Sequence, residues 1–282
     1  MCGLRDDRNR PDGAEGDGRH GDAADSVWCV TIDGDDDLQG LRRAGRAVAE
    51  ARDAMLAAAV PGATTADLDA VGRRILRSHG ARSAPQLAVG FPAATCVSVN
   101  DEAAHGVPSP LRVLRAGDLV NVDVSAELDG YWADTGASAP VGPAEAVAPL
   151  ARQLVEATRS AQADAMAAAR AGRPLRHIGR AVERRARRHG FRVIGNLCGH
   201  GVGASLHEGP SVPSIERMAD DVTLWEGLVL AIEPFLSTGA DVAVEDADGW
   251  TLRTPDGSLS AQFEHTVVVT HGRPLVLTAT AA

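Results

Sequence analysis

Two stretches of this chain match each other at a separation of 110 positions. Ala57-Ala58-Ala59, Gly62, Arg74, Arg77, His79, Gly80 and Arg82 return as Ala167-Ala168-Ala169, Gly172, Arg184, Arg187, His189, Gly190 and Arg192, without a gap. Each copy is followed by a β-rich stretch. A duplication of that length predicts two α+β halves related by a pseudo-two-fold axis. The cleft between such halves is a usual place for a site.

The helices of the first copy are legible in the pattern. Leu41, Ala44, Val48, Ala51, Met55 and Ala59 follow helical spacing, with Asp35 to Asp37 acidic at the start. Pro61-Gly62 ends that helix. Thr64-Thr65-Ala66-Asp67 then reads as the cap of a second, running to His79-Gly80. Residues 1–36 differ from everything after them. Rich in Asp, Gly and Arg and without apolar periodicity, they cannot offset their ordering entropy and read as a disordered extension. One apolar island there, Val27-Trp28-Cys29-Val30-Thr31-Ile32, is expected to dock as a strand or remain tethered. Residues 37–282 form the folded domain.

Composition excludes several classes. The chain of 282 residues is long enough for a sizeable core, and no window approaches the roughly 18 apolar residues of a membrane span. The start, MCGLRDDRNRPDG, lacks the apolar stretch of a secretory signal. Cys2, Cys29, Cys96 and Cys198 show no paired framework, which fits a reducing, cytoplasmic compartment. A formal charge of −10 argues against nucleic acid as a partner. The basic run Arg184-Arg185-Ala186-Arg187-Arg188 reads as a solvated helix face.

The chemistry lies in a few carboxylates and histidines. Leu119 to Ser125 and Tyr131 to Thr135 are β-prone runs around an Asp129-Gly130 turn, hence a hairpin. A four-residue loop, Glu127 to Gly130, sets Asp123 directly opposite Asp134, whereas a two-residue turn shifts that register. Two such carboxylates repel unless a cation lies between them. His200 is flanked by Gly199 and Gly201, which let the backbone pass close to a ligand, and His207 follows seven residues on. Glu233 and Glu264 stand in buried-looking strands, costly unless paired or metal-bound. Each could instead be satisfied by an arginine. Together the set is mostly oxygen donors, suited to hard or borderline divalent ions such as Mn, Fe, Co or Zn.

At these residues the chain resembles the type I methionine aminopeptidases. The resemblance rests on Asn100 to Pro108, Asn121 to Val124, Cys198 to Gly203 and Ser260 to Thr266, and covers about residues 37–278. It implies the α+β pita-bread fold: two pseudo-symmetric halves with antiparallel sheet and helices outside. It implies a pair of divalent metals (Co, Mn, Fe or Zn) on Asp123, Asp134, His200, Glu233 and Glu264. It also implies proton transfer by Glu233, oxyanion stabilisation by His207, and a hydrogen bond from His105 to the scissile peptide. The methionine pocket maps to Phe91, Cys96, Leu206 and Trp250, with His105 and His207 also meeting substrate. Many bacterial members carry aromatics where this chain has Ala88 and Leu206, and cysteine where it has Pro85, so a roomier pocket is expected. The implied partners are polypeptide N-termini and a transient ribosome contact, with no nucleic acid or membrane, and the implied state is monomeric. Two other readings are a proline-directed (Xaa-Pro) peptidase of the same fold and a pita-bread binding protein without catalysis. The first would share the five ligands; the second should have lost some of them, and this chain keeps all.

Overall fold

A computed structural model of the chain describes residues 32–219 and 222–280. The expected disordered extension and its apolar island lie outside the described residues, apart from their last positions. Ile32 donates its backbone N–H to the Gly227 carbonyl, and Asp35 and Asp36 already belong to the first helix, so folded chain begins before residue 37.

The first half opens with α1 (Asp35–Ala58) and α2 (Thr65–Ser78). Leu41, Ala44, Val48, Ala51 and Met55 are fully buried along one face of α1, as their spacing predicts. At the start of α2 the Thr64 side chain accepts from the Asp67 backbone while Asp67 reaches back to Thr64, closing a capping box. Then follow β1 (Arg82–Ser83), α3 (Ala84–Val89), β2 (Cys96–Val99), β3 (Glu102–Ala104), β4 (Leu119–Leu128) and β5 (Tyr131–Pro140). β4 is the centre of this sheet, with β5 on one edge and β1 and β2 on the other, all antiparallel. Val97, Val120, Val122 and Val124 fill the space between this sheet and the two helices.

The second half repeats the scheme. It comprises α4 (Pro149–Ala168), α5 (Arg176–His189), β6 (Arg192–Val193), β7 (Cys198–Gly201), β8 (Glu208–Pro213), β9 (Val229–Ile232), β10 (Phe235–Ser237), β11 (Val244–Glu245), β12 (Leu252–Arg253), β13 (Ser260–Gln262), β14 (His265–Val268) and β15 (Leu275–Val276). Its main sheet runs β15-β14-β9-β7-β8, again antiparallel. Small sheets β13-β10-β6 and β11-β12-β3 complete it, the latter borrowing β3 from the first half. The duplication holds in three dimensions. β1 and β6 occupy positions 110 apart, and the residues just past α1 and α4 share a backbone, φ −77° in both Ala59 and Ala169. Each half has its own apolar core, and the helices cover the outside.

One sequence reading needs correction. The hairpin loop is the two-residue turn: Asp129 and Gly130 both take positive φ, 55° and 89°, the mirror-image turn that matches strand twist. Asp123 therefore faces Gly136, and Asp134 faces Ser125. The two aspartates are diagonal rather than opposite, still on one face of the sheet because positions 134 and 136 share it. Of the four cysteines, Cys96 is a free, buried thiol. The basic run on α5 behaves as expected: Arg184, Arg187 and Arg188 face solvent, and Arg185 pairs with Asp164.

Candidate metal centre and active site

The two halves are stitched together where β5 meets the β13–β14 segment. Asp134 N–H donates to the Thr266 hydroxyl, which donates back to the Asp134 carbonyl, at 2.9 and 2.8 Å. Thr135 Oγ1 donates to the Glu264 carbonyl and Glu264 N–H to the Gly136 carbonyl. This seam brings Asp134 of the first half against Glu264 of the second. His200, on β7, completes a cluster in which one donor atom from each residue lies within 4.8 Å of the others. The three are 6%, 1% and 9% exposed for Asp134, Glu264 and His200.

The remaining carboxylates border that cluster. Asp123 lies diagonally across from Asp134 on the same face of the sheet, and Glu233 Oε1 lies 3.5 Å from His200 Nε2. His200 Nε2 is 3.8 Å from Asp134 Oδ2. Its Nδ1–H donates to the Gly201 carbonyl at 2.9 Å, which fixes the tautomer with the Nε2 lone pair turned to the carboxylates. Burial, with His207 beside it, holds His200 down to about 3, so the ring is neutral as a ligand must be.

Burial also lifts the carboxyls. Asp123 is pushed up to about 6 by desolvation; Asp134, Glu233 and Glu264 are raised further by burial and by the charge of neighbouring carboxylates, Asp123 in each case among them. Asp134 Oδ1 and Glu264 Oε1 are buried without a hydrogen-bond partner among the described residues. Unpartnered carboxylate oxygens beside a neutral imidazole fit a divalent cation, which would satisfy them and neutralise the charge.

Gln262 escaped the sequence reading. Wholly buried, its Nε2 donates to Glu233 Oε2 at 3.3 Å and Glu264 Oε2 at 3.2 Å, while its Oε1 accepts from Asn121 at 2.9 Å. It orients two carboxylates at once. The signal was available: a strand places Gln262 and Glu264, and likewise Asn121 and Asp123, on the same side.

Next to these carboxylates lie the residues assigned to substrate. His207 stacks edge-on against His200 with ring centroids 4.5 Å apart, exposed to solvent. His105 holds φ at +54°, a backbone strain rare outside glycine, and burial with His207 nearby brings it down to about 4. Phe91 and Cys96 cluster with Ala93, Val107 and Trp250; the Phe91 and Trp250 rings meet edge to face at 5.2 Å. Leu206 is buried but outside this cluster, Pro85 is buried with its carbonyl accepting from Phe91 N–H, and Ala88 is exposed.

A metallopeptidase family M24 model matches residues 13–271. The chain belongs to metallopeptidase family M24. Among M24 relatives, methionine aminopeptidase 2 of Bacillus subtilis is 46% identical over 250 residues, 88% of this chain and 99% of that one. The methionine aminopeptidase of Aquifex aeolicus is 38% identical over 86% of this chain and 96% of its own. In three dimensions the methionine aminopeptidase of Thermotoga maritima superposes with a TM-score of 0.85 at 34% identity, over 90% of this chain and all of that one. A prolidase from Pyrococcus furiosus shares the fold alone, with a TM-score of 0.69 at 22% identity over 89% of this chain and 66% of its own. The pita-bread architecture and a metal-dependent hydrolase follow from this membership. Among the described residues, no helix is long and apolar enough to cross a membrane.

Proposed function

We propose that the chain removes the N-terminal methionine from polypeptides, in the cytoplasm and as a monomer that meets ribosomes transiently. Asp123, Asp134, His200, Glu233 and Glu264 hold two divalent ions drawn from Co, Mn, Fe and Zn. The observation that carries the reading is the buried Asp134–His200–Glu264 cluster with two orphaned carboxylate oxygens. The names and identities of the relatives support the methionine specificity.

When bound, the ions polarise the scissile carbonyl and make water acidic enough to attack at neutral pH. The protein's own groups handle the protons and the substrate. Glu233, its carboxyl raised by burial and by Asp123, takes the proton from the attacking water and passes it to the leaving amine. The Gln262 amide keeps that carboxyl aimed. His207 stabilises the developing oxyanion from the cleft mouth, and His105, neutral at pH 7, hydrogen-bonds the scissile peptide. Phe91, Cys96 and Trp250 receive the methionine side chain, whose burial contributes roughly 1.5–3 kcal/mol.

The test is hydrolysis of a Met-Ala-Ser peptide by chelator-stripped protein resupplied with Mn or Co, with Asp123→Ala alongside. Methionine release that requires metal and vanishes in the variant is the expected outcome. A folded, metal-loaded protein that releases none but cleaves Xaa-Pro peptides moves the assignment to a proline-directed peptidase.

The pocket carries its own prediction. The resemblance assigns Leu206 to a wall of the pocket that the Phe91–Trp250 cluster does not include, and an S–aromatic contact from a ring there would be worth roughly 0.3–1.5 kcal/mol. Leu206→Phe is therefore expected to raise the preference for methionine over norleucine by roughly 2- to 12-fold. Equal preferences in the two proteins would show that this wall does not select.

A further inference from the structure

Between Gly90 and Cys96 the chain has no regular secondary structure, yet it carries Phe91 and leads directly into Cys96, two members of the apolar pocket. Something other than a strand ladder must fix it. Asp69, on α2 and 4% exposed, accepts through one oxygen from the backbone N–H groups of Ala94 and Thr95, both at 2.9 Å. The same Oδ1 accepts from the Thr95 hydroxyl at 3.0 Å. Its other oxygen takes the guanidinium of Arg73, one helical turn later and half exposed beside an open cavity of about 430 Å³. The helix also approaches closely: a Cβ at Gly72 would lie 3.0 Å from Thr95 Cγ2 and 2.5 Å from Met55 Sδ. The held segment ends where Cys96 enters β2 in register with Asp123.

We propose that Asp69 is a positioning residue for the methionine pocket, fixing Phe91 and Cys96 through its three hydrogen bonds to Ala94 and Thr95. It touches neither substrate nor the ligand carboxylates. The proposal rests on the aminopeptidase reading above. A buried carboxylate with several donors holds a loop more tightly than a neutral acceptor, because charge-assisted bonds are about twice as strong. Asp69→Asn keeps the shape, weakens those bonds and turns a donor towards Arg73. The misplaced wall should loosen the grip on the methionine side chain while leaving the proton-transfer groups in place.

The experiment compares wild type, Asp69→Asn and Thr95→Val, each metal-loaded, on Met-, norleucine- and Leu-initiated peptides. Thr95→Val removes only the hydroxyl donor and preserves the shape. For Asp69→Asn we expect KM for the methionine peptide to rise about tenfold, with kcat within about threefold of wild type. The preference for methionine should fall in step, and Thr95→Val should shift both in the same direction by less. Metal affinity measured by calorimetry should stay within about twofold of wild type, since the clasp contacts no ligand. Variants that melt earlier but keep the wild-type KM and preference overturn the proposal, leaving Asp69 a role in folding only. If Asp69→Asn does not fold, Thr95→Val decides by the same criterion. A wild type that releases no methionine defeats the aminopeptidase reading, and this proposal with it, before any variant is compared.

Discussion

Replacing Glu264 by glutamine is expected to abolish methionine release and, in chelator-treated protein, to raise the melting temperature at pH 8. Both effects have one origin. Glu264 is 1% exposed, one of its oxygens has no hydrogen-bond partner among the described residues, and burial and three neighbouring carboxyls raise its pKa. The sign follows from linkage. A carboxyl whose folded pKa exceeds its unfolded value costs nothing below the unfolded value, about 4. The cost develops as pH rises through the folded value, because the folded state binds the proton that the unfolded chain has released. For Asp123 that window closes at about 6, and for the more strongly raised Glu264 it extends higher. Glutamine has no proton to lose, so its advantage should be absent near pH 4 and grow above it. With metal supplied the order should invert, since the ion offsets the carboxylate charge and the amide cannot. Metal affinity should fall at least about a hundredfold, given that outer-shell partners alone cost 10–100-fold. Melting curves at pH 4 and pH 8, with and without Mn, read all four conditions. A glutamine variant less stable than wild type in chelator at pH 8 would show that the carboxylate is satisfied by the protein alone.

Gly199→Ala is expected to unfold the site from the backbone side. A Cβ at this position would stand 2.2 Å from the Ala231 carbonyl oxygen, a backbone atom in the paired strand β9. Real Cβ atoms do not approach so closely, so β7 must move off β9. That separation takes His200 away from Glu233, which follows β9 directly. A cost of about 3 kcal/mol, near the upper end for overpacking, corresponds to a drop of roughly 6–12 °C for a chain of this size. Gly272→Ala is the control, with only a threonine hydroxyl at 3.8 Å, and should stay within about 0.5 kcal/mol. An unchanged melting temperature in Gly199→Ala, with metal binding intact, would show that the two strands separate without consequence.

Much of this architecture was written locally. The burial of Leu41 through Met55 follows from a 3.6-residue period, and the capping box at Thr64 from a polar pair three residues apart. The pseudo-symmetry was visible because both copies must end their helices in the same way: Gly80 and Gly190 take φ of 74° and 76°. The hairpin was legible, yet its register was not, because Asp129 and Gly130 each had to enter the left-handed region to select the two-residue turn. Period and turn chemistry are properties of neighbouring residues, so a linear reading recovers them.

The site followed a different rule. Residue types alone made Asp123, Asp134, His200, Glu233 and Glu264 a plausible donor set, through the cost of burying charge among apolar neighbours. What brought Asp134 and Glu264 together, beside His200, is the seam of Thr135, Thr266 and backbone groups across 128 or more positions of chain. Gln262 and Asp69 went unread for that reason: each is an ordinary polar residue in its own segment. Their hydrogen-bond partners lie at Asn121 and Glu233, or at Ala94 and Thr95. A donor's identity is fixed by sequence, but whether it meets an acceptor depends on packing between elements far apart in the chain. The sequence by itself determined the duplicated halves, their helices and the inventory of ligating groups. Only the tertiary structure decided which oxygens are left unpartnered, and where they converge.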